Sequence, residues 1–94
     1  MKVVIDGLYI TGKEKLHEYL QEILEFPEYY GKNLDALYDL LSTDDRELEF
    51  VIRHEEDLMV HLGEYCVWFE DTLYDVSEER ENLSVEFESE DEEE

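Results

Sequence analysis

Three short runs rich in β-branched and aliphatic residues set the limits on how this chain can fold. They are Lys2–Ile5, Glu47–Arg53 and Leu83–Phe87, and two stretches of helical periodicity separate each run from the next. Strands separated this way cannot form tight hairpins. Each connection must cross over the sheet, which makes neighbouring strands parallel and the crossovers right-handed. The order strand, helix, helix, strand, helix, helix, strand therefore predicts an α/β fold: a small three-stranded parallel sheet packed with about four helices. Val3-Val4-Ile5 is continuously apolar, which predicts a strand buried on both faces. Leu83, Val85 and Phe87 alternate with Ser84, Glu86 and Glu88, which predicts a half-buried strand at the sheet edge.

The helices carry their own signals. Thr11-Gly12-Lys13-Glu14 has the spacing of a capping box, and Leu16, Tyr19, Leu20, Ile23 and Leu24 follow at helical intervals up to the stop imposed near Glu25 by Pro27. Leu34, Leu37 and Leu41 form one apolar stripe. Acids at Glu55, Glu56 and Asp57 suit a helix start, and Leu58, Met59 and Leu62 supply its buried side before Gly63 breaks it. Tyr65, Cys66, Phe69, Leu73 and Val76 mark the longest amphipathic helix, with Trp68 at its border.

The 94 residues make one domain, assigned to 1–88, with an acidic tail at 89–94. Twenty-nine acids oppose seven bases, for a formal charge of -22. Phosphate contacts need Lys and Arg, so binding to bare nucleic acid is excluded and a basic partner is favoured. Folding concentrates this charge, so moderate salt is expected to stabilise the protein; unfolding midpoints that stay flat or fall between low and moderate salt would contradict this. The tail reads as disordered and solvating, as a second contact with a basic partner, or as an adaptation to a salty cytoplasm.

Little in the chain points to catalysis. Cys66 lies among apolar residues and packs as a small hydrophobe. His17, His54 and His61 are scattered and have no motif around them. No glycine-rich phosphate loop occurs. No apolar run approaches the ~18 residues of a membrane span, and no secretory signal opens the chain. The expectation is a cytoplasmic protein that is monomeric when free, with no enzymatic activity, cofactor or metal.

The segment Phe26 to Leu41 carries the functional information. A Pro27-Glu28-Tyr29-Tyr30-Gly31 turn leads into a short helix. Its leucine stripe faces inward, and Asp35, Tyr38 and Asp39 face solvent, with Tyr29 and Tyr30 displayed just before them. On charge alone the two aspartates are ordinary solvated positions. The combination Pro-Glu-Tyr-Tyr-Gly, Asn33-Leu34-Asp35-Ala36-Leu37, Asp39 and Leu41 resembles the barstar family of intracellular ribonuclease inhibitors. Outside this run the identities are sparse, although length and element order agree along the whole chain.

The resemblance implies a barstar-like fold and a basic, barnase-like ribonuclease as partner. It makes Asp39 the main phosphate surrogate in the enzyme pocket and Asp35 a second anchor one helical turn earlier. Tyr29 stacks on an aromatic or imidazole group, and Tyr30, Gly31, Asn33 and Leu34 line the approach. Four positions depart from the family pattern. Tyr38 stands where the family usually has tryptophan. Ser42-Thr43-Asp44-Asp45 replaces a Gly-Trp pair. Asp75 takes the place of a glutamate on the long helix. Leu40, where the family often has cysteine, is a packing change. The departures suggest a different ribonuclease or a weaker grip. An acidic, nucleic-acid-mimicking protein that binds a basic partner other than a ribonuclease is the alternative.

Overall fold

The computed structural model describes residues 1–88; the acidic segment 89–94 lies outside the described residues. The elements are β1 (Lys2–Asp6), α1 (Lys13–Leu24), α2 (Leu34–Ser42), β2 (Leu48–Arg53), α3 (Glu55–Leu62), α4 (Glu64–Glu79) and β3 (Leu83–Glu88). The strands form one sheet in the order β1-β2-β3, with both pairings parallel. Two helices fill each connection, as the spacing of the apolar runs requires.

Register determines where the core lies. Val3 aligns with Phe50 and Val85, and Ile5 with Ile52 and Phe87, so these side chains share one face. Val3, Ile5, Leu48, Phe50, Ile52 and Leu83 are buried there with Leu16, Leu20, Leu37, Leu41, Leu58, Phe69, Leu73 and Val76 from the helices. The opposite face holds Lys2, Val4, Glu49, Val51, Ser84 and Glu86. Only the central strand is buried on both faces, since Val51 is 2% exposed.

The expectation that β1 is buried on both faces is therefore corrected. The strand order makes β1 an outer strand, and Val4 is half-buried. Tyr19 of α1 is half-buried against the core. β3 is the other edge, but its inward face opens toward its end: Leu83 is buried, Val85 is half-buried, and Phe87 is exposed beside the Tyr74 ring.

Two helix details also differ from expectation. α1 starts one residue later than the Thr11 frame, with Gly12 as N-cap and no side-chain cap bond, so no capping box forms. In α3 only Leu58 is fully buried; Leu62 is half-buried and Met59 is exposed. α3 packs on α4, and α4 packs on both α2 and β3. Gly63 separates α3 from α4 at φ 63°, a backbone region that costs glycine little. Gly7 is required for a different reason: a Cβ there would lie 2.1 Å from the His54 carbonyl oxygen and 2.5 Å from the Leu58 nitrogen. That close approach seats the end of β1 against the start of α3.

Candidate partner-binding surface

The surface begins where α1 ends. Glu25 takes the left-handed conformation, and its N–H reaches the carbonyls of Gln21 and Glu22. The Tyr30 N–H then donates to the Pro27 carbonyl at 3.0 Å, and the Gln21 amide donates to the same oxygen at 2.9 Å. The turn is thereby tied to the helix before it.

Its two tyrosines point in opposite directions. Tyr29 is 83% exposed and Tyr30 only 5%. The expectation that both are displayed is corrected for Tyr30, whose ring packs on Phe26 at 4.9 Å and whose hydroxyl lies 2.5 Å from His17 Nδ1. His17 Nε2 lies 2.7 Å from the Tyr65 hydroxyl. This buried Tyr–His–Tyr chain links the turn to α1 and α4. Burial, helped by Lys13 and Lys32, lowers the His17 pKa to about 4, so the ring is neutral near pH 7. Burial also raises the Tyr30 phenol well above its usual range. Nothing in the sequence singles out His17 for this role, because a helical histidine in an apolar stripe has no local signature. Its partners lie 13 and 48 residues away.

α2 starts from a well-made cap. Asn33 Oδ1 accepts the Ala36 N–H at 2.8 Å, and its Nδ2 donates to the Gly31 carbonyl at 3.3 Å. Leu37 and Leu41 are buried and Leu34 is half-buried against the core. With that stripe fixed, Asp35 and Asp39 project from the exposed side, one turn apart. Gly31 and Asn33 are exposed beside them.

Tyr38 leans toward α4 instead of facing solvent and is half-buried. Its hydroxyl donates to Glu79 Oε2 at 2.6 Å. That bond, with a smaller contribution from the Asp75 charge, raises the phenol pKa. Asp75 and Glu79 are both exposed, one turn apart on α4. The structure thus brings Asp75 to the side of α4 that faces Tyr38 and adds Glu79, which was not among the residues expected from the sequence. Its i, i+4 spacing from Asp75 was the available signal.

The loop after α2 is firmly held. Ser42 Oγ donates to the Tyr38 carbonyl at 2.7 Å and Thr43 Oγ1 to the Asp39 carbonyl at 3.3 Å, satisfying two late carbonyls of the helix. Arg46 pairs with Asp44 at 2.7 Å and donates to the Leu24 carbonyl at 2.9 Å. Arg80 donates to the Ser42 carbonyl, and Asn82 Nδ2 donates to the Arg46 carbonyl at 2.8 Å. Arg46 holds the Asp44 carboxyl below its usual range. Of the two acids in this loop, Asp44 is paired with Arg46 and Asp45 is left exposed.

These residues form an exposed acidic surface on α2 and α4. It presents fixed anions on an aromatic-edged helix, which suits electrostatic docking of a cationic surface. Among the described residues no group of three or more His, Cys, Asp or Glu side chains could hold a metal ion. No helix among them is long and apolar enough to cross a membrane.

Comparison with known proteins identifies the class. A family model described as Barstar (barnase inhibitor) matches residues 1–91. The chain belongs to the barstar family, a family of inhibitors and not of enzymes. A particular relative is the Bacillus subtilis (strain 168) protein named "Putative ribonuclease inhibitor YrdF". It is 40% identical to this chain over 87 residues, which span 92% of both chains.

Proposed function

We propose that this protein is a cytoplasmic immunity protein that binds a basic, barnase-like ribonuclease one-to-one and occludes its active site. A ribonuclease pocket is built from cations that grip RNA phosphates. Asp39 enters that pocket as the principal phosphate surrogate, and Asp35 pairs with a second cation one turn away. Tyr29 supplies an exposed ring for stacking on the enzyme. Gly31, Asn33 and Leu34 form the approach, and Asp75 meets a more distant cation from α4. Tyr30 contributes its backbone and holds the turn from below, because its side chain faces the core.

The observation that carries this reading is the fixed exposure of Asp35 and Asp39. A capped N-terminus, a buried leucine stripe and a fastened exit loop leave the helix little freedom, so few degrees of freedom are lost on binding. Inhibition of barnase by the purified chain, abolished by Asp39→Ala, is the direct test. Deleting residues 89–94 should change mainly association rate and salt sensitivity. If that deletion removes binding to a basic partner while Asp39→Ala leaves it intact, the chain is instead an acidic interaction protein that acts through its tail.

A further inference from the structure

Tyr38 carries a phenolic hydroxyl, and the structure shows where that hydroxyl goes. It spans from α2 to α4 and donates to Glu79 at 2.6 Å. Tyr38 sits between Asp35 and Asp39 in sequence, and Asp75 lies one turn before Glu79 on α4. Asp75 is near enough for its charge to act on the same phenol. The hydroxyl's hydrogen bond goes to Glu79.

We propose that Glu79 is a positioning residue of the inhibitory surface: by accepting the hydroxyl's hydrogen bond it clamps the Tyr38 ring against α4. The proposal rests on the ribonuclease-inhibitor reading above and adds a residue to it. The clamp has two consequences. The Tyr38 ring is already in place before the enzyme arrives, so no side-chain freedom is lost there on binding. All four acids are exposed, but the Glu79 carboxylate alone is engaged by the phenol.

A double-substitution cycle with barnase as the probe tests this, using affinities measured at physiological salt. Glu79→Ala and Tyr38→Phe should each weaken binding by about three- to tenfold. The pair together should be no worse than either alone, because Glu79 acts through Tyr38. Glu79→Gln keeps an acceptor for the phenol and loses the charge, so it should remain within about twofold of the parent. In the free protein, the Tyr38 phenol followed by NMR of ¹³C-labelled tyrosine should titrate at lower pH in Glu79→Ala than in the parent. The inference is overturned if Glu79→Ala weakens binding equally in the parent and in the Tyr38→Phe variant, or if Glu79→Gln is as damaging as Glu79→Ala. Either result would make Glu79 a direct charge contact. An unmoved Tyr38 titration would show that no clamp exists. Failure of the unmodified chain to bind barnase would overturn the ribonuclease reading first, and the clamp's role with it.

Discussion

Asp35 and Asp39 are chemically identical, sit on one helix and are both assigned to the same enzyme pocket, yet their removal should affect the free protein differently. α2 is nine residues long, with Asp35 in its first turn and Asp39 in its last. The partial positive charge of the helix start favours Asp35, whereas the partial negative charge of its end opposes Asp39, each by roughly 0.3–1 kcal/mol. Replacing either aspartate by alanine also gains up to ~0.7 kcal/mol of helix propensity. The two effects oppose each other at Asp35, so Asp35→Ala should leave stability within ~0.5 kcal/mol of the parent. They add at Asp39, so Asp39→Ala should stabilise the fold by ~1 kcal/mol, or a few degrees in Tm for a domain of this size. Binding should move the other way. Truncating one member of a desolvated charge pair costs roughly 2–5 kcal/mol, so Asp39→Ala should bind barnase at least ~30-fold more weakly. Thermal unfolding by circular dichroism and surface-based affinity measurement on the same three proteins check both halves. An Asp39→Ala variant that melts below the parent would refute the dipole reasoning, and one that retains parental affinity would refute the pocket assignment.

Three further outcomes follow from the interior. His17 titrates near 4 when folded and near 6.5 when unfolded; its depressed value contributes stability that is fully present above pH 6.5 and is lost as pH falls toward 4, up to about 3 kcal/mol. Carboxylate protonation acts over the same range, so the test is the difference between parent and His17→Gln urea-unfolding energies, which should shrink from pH 7 to pH 4; a constant difference would contradict the assignment. Glu70 behaves with the opposite sign: burial and then the neighbouring Glu55 push it up to about 7, so its favourable protonated form is lost as pH rises through that value. Glu70→Gln should therefore raise Tm at pH 8 and have little effect at pH 4, and equal effects at both would contradict the raised value. Gly7→Ala places a methyl group against the His54 carbonyl and the Leu58 nitrogen, both backbone; it should destabilise by ~3 kcal/mol or more, and a Tm within a few degrees of the parent would show that α3 can shift to admit it.

The parallel sheet and its two-helix crossovers were legible because chain distance between apolar runs rules out hairpins, whatever the side chains do. The inward stripe of α2 was legible for a similar reason: Leu37 and Leu41 recur at helical intervals, and Asp35 and Asp39 must then emerge on the other side. What the sequence did not show depends on neighbours that are remote in the chain. Val3-Val4-Ile5 looks the same in a central or an outer strand, and only the sheet order leaves Val4 half-buried. Tyr29 and Tyr30 are adjacent and of one type; what turns Tyr30 inward is a buried histidine on another helix. The inward turn of Tyr38 has the same cause, since its acceptor lies 41 residues on.

Those remote partners also explain how so acidic a chain keeps a defined binding face. Of seven basic residues, Arg46 and Arg80 serve the loop that closes α2, bonding backbone carbonyls from Leu24 and Ser42. They secure the exit of the helix, where their side chains also hold Asp44 and Asn82. Asp39 lies beside the negative end of its own helix, with Asp75 and Glu79 presented by α4. That arrangement is unfavourable while the protein is free and becomes favourable when a cation arrives, because the repulsion that opposed the aspartate is then screened at its source. On the proposed function, the stability forgone at Asp39 is recovered on binding. Asp39, at the unfavourable end of α2, is therefore the position at which stability and binding separate: its removal should gain the first and lose the second.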